Sequence, residues 1–517
     1  MDLVERLLGR HIQAGGGERV CYVDPDVGEV TYARLHDAAR HYAGTLRELG
    51  VAPGTRALVV ADDSVATVAA VLGLWWHGCV PVPVSPVLSD AEIRFMAADC
   101  EAGFAHIDAP TAKQRTLEEE FASLPRTTGE QGRAVFTAAD AEVARRPQAS
   151  SESLTEPSPE PAQWPGDQAA LVQYTSGSTG SPKGVLHAAT GIEAVLSGIG
   201  SVLGLRPDDV VLSTAKLSFG YGFGNSVLLP LAAGARTVLL RGSVDAHVVS
   251  SNLHRHRPTV LFSVPRMYAA LLALADSHGP EGFASVRLAV TAGEHCPAQL
   301  GERVRSTFGV PLVNGLGATE ALHIVVATPP SRITPGATGR AVPGTEVTVR
   351  DDDGLPVADG TEGRLHIAGP SVALGYLNRV EATRRTFAGG GAFTNDIVRR
   401  TEEGEIWHLC RADDVLNLGG YKVAPGEIET VVRATDRVAE CAVVASTDEH
   451  GLEQAVAYVV PVAGSDHAAV RKAVLLSIRK HLAPFKRPSR IEVIDVLPVT
   501  STGKLARHEL RESAGRR

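Results

Sequence analysis

The first 110 residues alternate between short, wholly apolar runs and longer segments whose apolar positions recur at helical spacing. Val20–Val23 and Ala57–Val60 read as buried strands, and Thr31 is placed to cap a helix reaching Gly50. Val65 to Val84 has the length of a membrane span, but glycine, His77, Pro81 and Pro83 interrupt it. The pattern therefore predicts a buried helix, Ser64–His77, followed by a buried strand, Val80–Val84. Such alternation predicts an α/β fold with mostly parallel sheet. Residues 111–165 change character, with Glu118–Glu120 and a Ser/Pro/Glu-rich run at 150–161, and read as a surface excursion or linker. Ala169–Tyr174 then reads as a strand entering a glycine-rich loop, and alternation resumes to residue 330. Residues 336–410 are richer in short strands and turns, which predicts a β-rich subdomain. From about residue 415 a smaller α+β unit is expected. Its helices fall near Pro425–Ala434 and Asp466–Leu482, and its strands near Ala439–Ala445 and Ala455–Val460.

Composition narrows the classes. With 517 residues, 44% hydrophobic and 21% charged, the chain is neither disordered, collagen-like nor a small disulfide scaffold. Fifty Lys+Arg against 59 Asp+Glu give a formal charge of −9, so no bulk basic field points to nucleic acid or an anionic membrane. The six cysteines, Cys21, Cys79, Cys100, Cys296, Cys410 and Cys441, form no CxxC pair. That argues against a zinc ribbon or thioredoxin-like site. With an N-terminus lacking a secretory apolar core, it predicts a cytoplasmic protein.

The sharpest chemical signal is Tyr174-Thr175-Ser176-Gly177-Ser178-Thr179-Gly180-Ser181-Pro182-Lys183-Gly184. Glycines let the backbone turn its N–H groups onto an anion, hydroxyls add donors, and Lys183 adds a mobile positive charge. The string lacks a Walker ending, so it is a phosphate loop of another kind. It resembles the phosphate loop of the adenylate-forming superfamily of acyl- and aryl-CoA ligases, carrier-protein adenylation domains and luciferases. The resemblance covers nearly the whole chain, because further motifs follow in that family's order.

Gly315-Leu316-Gly317-Ala318-Thr319-Glu320 resembles the motif whose Thr contacts a nucleotide phosphate and whose Glu binds Mg²⁺. Ala292-Gly293-Glu294-His295 is similar to the adenine-side segment. Thr394-Asn395-Asp396 resembles the ribose motif, Asp396 taking both hydroxyls, with Asn395 where the family usually has Gly. The segment from Cys410 to Val423 resembles the hinge motif. There the resemblance gives Arg411 a nucleotide contact and Asp413 the pivot. Cys410 replaces the usual Gly, and Asn417 stands where Lys is common. Pro498-Val499-Thr500-Ser501-Thr502-Gly503-Lys504 resembles the motif carrying the catalytic lysine.

The resemblance implies two half-reactions using ATP, Mg²⁺ and CoA. A carboxylate attacks the α-phosphate to give acyl-AMP, and a thiol then takes the acyl group. It assigns catalysis to Lys504, Thr319, Glu320 and Lys183, and nucleotide binding to Thr175 through Gly180, Gly293, Glu294, His295, Gly315, Leu316, Gly317, Asp396 and Arg411. Gly419, Gly420 and Tyr421 are assigned to CoA. It also implies a large N-terminal domain, 1–412, and a mobile C-terminal domain, 413–517. Lys216 to Asn225 resembles the acid-pocket segment of benzoate-type CoA ligases, and so does Leu322-His323-Ile324. Phe219, Tyr221, Gly222 and His323 are the candidate pocket residues for an aryl or bulky cyclic acid, although core packing also suits Phe219, Tyr221 and His323. Three alternatives stay open: acyl transfer from acyl-AMP alone, because side chains at Asn395 and Cys410 flank the ribose contacts; loading of a carrier protein; and a non-catalytic nucleotide-binding regulator. A homodimer is also open.

Overall fold

A computed structural model describes residues 2–133, 136, 160–175, 182–418, 421–447, 452–500 and 505–515. The chain divides into two compact units, Met1–Val347 with Ile367–Phe393, and Thr348–His366 with Thr394–Arg517.

The first unit is built on a nine-stranded sheet. Its interior strands run parallel in the order Leu312–Gly317, Leu288–Ala292, Val260–Ser263, Val210–Ser213, Arg236–Val238 and Val20–Asp24. Antiparallel neighbours, Ile324–Ala327 and Gly28–Thr31, flank them. Strand order reverses at Val210–Ser213, with Arg236–Val238 on one side and Val260–Ser263 on the other. In open α/β sheets, ligands collect outside the carboxyl ends of strands at such a reversal. The motif-bearing segments Thr214–Asn225, Gly293–His295 and Ala318–His323 all leave these carboxyl ends.

A second sheet is parallel, in the order Val80–Val84, Arg56–Ala61, Phe104–Asp108, Arg126–Thr128. The membrane-like stretch resolves into helix Val65–His77, capped by the Ser64 hydroxyl accepting from the Thr67 N–H, and the strand Val80–Val84. The helix is buried from Val65 to Trp76 and ends where Gly78 takes φ 84°. It packs on helix Tyr32–Glu48 so closely that a Cβ on Gly73 would sit 2.6 Å from the Tyr42 Cβ. Among the described residues, no helix is long and apolar enough to cross a membrane.

Of the surface excursion or linker expected over 111–165, the first part is a structured surface segment and not a linker. Thr111–Glu120 is a helix and Arg126–Thr128 an edge strand beside Phe104–Asp108. Only Leu117 of that helix is buried, so the apolar pattern is too thin to mark it. Near residue 164 the chain is docked as well: Trp164 is buried and its indole N–H donates to the Trp75 carbonyl at 3.3 Å.

A third, antiparallel sheet is formed by Ala169–Thr175, Lys183–Ala188 and Gly375–Tyr376. The second unit holds a four-stranded sheet, Glu346–Arg350, Glu362–Ala368, Ala392–Arg400 and Ile406–Arg411. It also holds a three-stranded sheet, Val438–Thr447, Glu453–Pro461 and Arg490–Val493, covered by helices Pro425–Arg433, His467–His481 and Arg507–Gly515. Ile428, Val432, Val443, Val470, Val474 and Ile478 form part of its core. Buried Glu429 accepts from Arg507 at 2.7 Å, Arg433 at 3.1 Å and the Val443 N–H at 2.9 Å. Against the cost of burial, these partners hold its carboxyl at about 2.

Candidate active site

Thr175 and Lys183 stand opposite each other across an antiparallel pair, so the two ends of the phosphate loop are fixed by strand register. Ser176, Gly177, Ser178, Thr179 and Gly180 lie outside the described residues. The Lys183 ammonium sits 5.1 Å from the centroid of the Tyr376 ring. The Tyr376 hydroxyl donates to Glu320 Oε1 at 2.5 Å. Glu320 and Thr319 ride on one helical turn, Thr319–Ala321, just past strand Leu312–Gly317. Two glycines of that strand are required by close approach: a Cβ on Gly315 would meet the Ile324 side chain at 2.7 Å, and one on Gly317 the His323 carbonyl at 2.4 Å. Leu316 lies between them, half-buried.

Leu322 then takes φ 67°, ψ −47°, and the His323 N–H bonds the Ala321 carbonyl at 2.8 Å. This is a γ-turn of the rare positive-φ form, costing on the order of 1–3 kcal/mol. Leu322 is buried, so packing holds it there, and the turn sends His323 inward behind Glu320.

His323 Nε2 meets Asn225 Oδ1 at 3.1 Å, and its ring lies 5.6 Å from that of Tyr221. Burial pushes the imidazole down to about 4, so it is neutral near pH 7. Tyr221 stands edge-on to Phe262 at 6.3 Å, and its hydroxyl lies 3.4 Å from the carbonyls of Ser263 and Val290. A Cβ on Gly222 would fall 2.0 Å from the Lys216 carbonyl, and one on Gly224 would fall 2.2 Å from the His323 ring. These glycines let the segment fold tightly against the histidine. Phe219 is half-buried at the head of the same segment. The Thr214 and Ser263 hydroxyls pair at 2.7 Å at the ends of adjacent strands. The structure thus brings Tyr221, Gly222 and His323 into one cluster, with Asn225 joining it.

Gly293 follows strand Leu288–Ala292 with φ 91°, half-buried Glu294 comes next, and His295 is exposed.

In the second unit, Asp396 and Arg411 are cross-strand partners. Asp396 is buried. Its Oδ1 takes His408 Nε2 at 3.2 Å and the Arg411 guanidinium at 3.4 Å, and its Oδ2 has no partner among the described residues. Burial opposes ionisation, but His408 and Arg411 outweigh it and hold the carboxyl below the usual aspartate range. The result is an ionised carboxylate with one oxygen unclaimed, able to accept hydroxyl hydrogen bonds. Asn395, next along the strand, points to the opposite face, where its amide donates to the Asp413 carboxylate. The Asp413 carbonyl accepts from Arg511 at 3.0 Å. Cys410 is buried, and desolvation pushes its thiol up to about 12, leaving it neutral. Tyr421 is exposed and stacks on Phe485 at 4.3 Å. Gly419, Gly420 and Lys504 lie outside the described residues.

A family model for AMP-binding enzymes matches residues 10–377, and one for the AMP-binding enzyme C-terminal domain matches 427–504. The chain belongs to the AMP-binding enzyme family. It is 34% identical over 505 residues to a 4-hydroxybenzoate–CoA/benzoate–CoA ligase of Rhodopseudomonas palustris, covering 97% of this chain and 92% of that one. A benzoate CoA ligase crystal structure from Burkholderia xenovorans superposes with a TM-score of 0.87 at 31% identity, over 99% of this chain and 100% of that one. An anthranilate CoA ligase solved with anthranoyl-AMP gives 0.88 at 29% identity, over 100% and 98%.

Sequence reasoning missed several residues of this AMP-binding enzyme. His408 reaches Asp396 only through strand pairing, and Tyr376 reaches Glu320 across 56 residues. Asn225 lies within the pocket segment Lys216–Asn225, and the glycines around it were the available signal. Buried Gln173 lies against Gly220, with neither amide atom bonded among the described residues. As for Mg²⁺, no cluster of three or more His, Cys, Asp or Glu among the described residues could hold a metal. Glu320 nevertheless fits, because Tyr376 occupies only one oxygen of a half-buried carboxylate. Mg²⁺ commonly takes one or two carboxylates, with phosphate and water oxygens completing its shell.

Proposed function

We propose that this enzyme activates an aromatic or bulky cyclic carboxylic acid with ATP and transfers the acyl group to CoA. The observation that carries the reading is the Tyr221–His323–Asn225 cluster at the carboxyl ends of the sheet, beside the turn that bears Glu320. An aromatic wall and a neutral imidazole suit a flat, uncharged ring better than a cationic or charged side chain. The relatives named for benzoate, hydroxybenzoate and anthranilate point the same way.

In the first step a carboxylate oxygen attacks the α-phosphorus, and the bond to the β-phosphate bridge breaks, releasing pyrophosphate. In the second, the CoA thiol sulfur attacks the acyl carbon, loses its proton, and AMP leaves. The first step brings anions together, so positive charge fixed in advance lowers its barrier. Lys183 serves the phosphates, Glu320 offers an oxygen to Mg²⁺, Thr319 supplies a hydroxyl, and Asp396 takes the ribose hydroxyls. Gly293, Glu294 and His295 line the adenine side. Bound Mg²⁺ would offset triphosphate charge as pyrophosphate departs. Lys504 bridges the acid and the α-phosphate, Asp413 is the pivot of domain movement, and Gly419, Gly420 and Tyr421 accommodate CoA. The Asn395 side chain, engaged with Asp413 away from Asp396, supports both half-reactions running in this one chain.

The test offers the protein Mg²⁺, CoA and a panel of aromatic and cyclic acids, either with ATP or as synthetic acyl-AMPs, with products read by mass spectrometry. Acyl-CoA from acid plus ATP is expected. Acyl-CoA from acyl-AMP alone would restrict the enzyme to acyl transfer. A carrier protein offered in place of CoA tests the alternative acceptor, and sedimentation of the same preparation tests for a homodimer.

A further inference from the structure

The short segment Ala373–Leu377 ties together two parts of the site that sequence keeps far apart. On one side, the Ala373 N–H bonds the Glu320 carbonyl at 2.8 Å. On the other, the Leu374 N–H bonds the Leu186 carbonyl and the Leu377 N–H the Gly184 carbonyl, each at 2.8 Å. It therefore straps the turn carrying Glu320 to the strand that begins at Lys183. Its geometry is fixed: Gly375 has φ 143°, and the Tyr376 N–H bonds the Thr383 hydroxyl at 3.0 Å. Tyr376 sits at the centre of the strap and is buried. Its hydroxyl reaches Glu320 Oε1 at 2.5 Å, its ring face lies 5.1 Å from the Lys183 ammonium, and Phe387 packs edge-on at 5.3 Å.

We propose that Tyr376 is a positioning residue that orders both charges of the phosphate site, holding Glu320 to one free metal-facing oxygen and seating the Lys183 ammonium over its ring. The inference rests on the ATP-dependent reading above and deepens it. A hydroxyl on one carboxylate oxygen blocks bidentate chelation and selects a rotamer. An ammonium within about 6 Å of an aromatic face is attracted to the ring quadrupole. One side chain thus relates the anion and the cation by a fixed distance before nucleotide arrives, so less ordering is left for binding to impose.

The test compares wild type with Tyr376→Phe and Tyr376→Leu. Phe keeps the ring and removes the hydroxyl, while Leu removes both. Binding is read from the electron paramagnetic resonance signal of Mn²⁺ with an unreactive ATP analogue, and separately from the Mg²⁺ dependence of acyl-AMP formation. Tyr376→Phe is expected to weaken Mn²⁺ about tenfold, the scale of one hydrogen bond to a charged group. Its KM for the acid should stay near wild type. Tyr376→Leu is expected to weaken nucleotide binding roughly a further two- to fivefold through the lost cation–π contact. Thermal midpoints of each variant separate a folding defect from a site defect. If Tyr376→Phe binds Mn²⁺ as wild type does, or loses only thermal stability, the inference falls while the ligase reading stands. If wild type itself binds no Mn²⁺ with the analogue, both fall.

Discussion

Two buried aspartates, one in each unit, meet opposite fates. Asp396 is held ionised below the usual range because His408 and Arg411 both reach its Oδ1. Asp63 is equally buried, but among the described residues its carboxylate accepts one hydrogen bond, from the Leu217 backbone N–H at 2.9 Å. Desolvation pushes it up to about 7, against the pull of Lys216 and Arg241 and with the push of Asp62. Asp62 instead takes the Lys216 ammonium at 2.9 Å. Burial alone raises a carboxyl, and charged donors decide whether it becomes a fixed anion. Asp396 has become one, and its buried Oδ2 has no partner among the described residues. Asp63 serves as an anchor, fixing the start of the pocket segment that carries Phe219 and Tyr221.

Breaking the better-supported side should have the larger effect. Asp396→Ala removes two proposed ribose hydrogen bonds to a charged group. It should lower kcat/KM for ATP by about 10²–10³, read as acyl-AMP formation against ATP. His408→Ala removes one of the two side chains that reach Asp396 Oδ1 and leaves Arg411, so the Asp396 carboxyl should titrate higher. The acid limb of the adenylation pH profile is then expected to move up, with KM for ATP rising about tenfold. An unmoved limb would mean that His408 does not tune Asp396.

On the other side, Asp63 has a folded value above that of an unfolded aspartate. Its stabilising share is therefore full below about 4 and is lost as pH rises through about 7. Asp63→Asn should gain on wild type in thermal midpoint between pH 5 and pH 8, by a few degrees at most. Asp396 should act with the reverse sign, its contribution present near neutrality and lost in acid. Smallest of all, Asn395→Gly should change KM for ATP by less than about threefold, because its side chain lies on the strand face away from Asp396.

The fold was largely legible in the chain because its signals are local. Thr31 and Ser64 cap their helices as their spacing implies, and the apolar runs at 57–60 and 80–84 are strands. Helix Thr111–Glu120 was not legible, because Leu117 alone faces the core. Most of the candidate site was carried by contiguous motifs, since a phosphate loop or a carboxylate turn is written in neighbouring residues. His408 and Tyr376 could not be read that way. The first depends on the register between Ala392–Arg400 and Ile406–Arg411, and the second on a strap arriving from a distant segment. The neutral state of His323 likewise follows from burial behind a strained turn at Leu322 rather than from its neighbours in sequence.

The most direct measurement is acid-dependent exchange of pyrophosphate into ATP, with Mg²⁺ present and CoA withheld, comparing benzoate and hydroxybenzoates with acetate and with no acid. Exchange driven by the aromatic acids is expected, with near-background exchange with acetate. No exchange with any aromatic acid, or equal exchange with acetate, would contradict the proposed function.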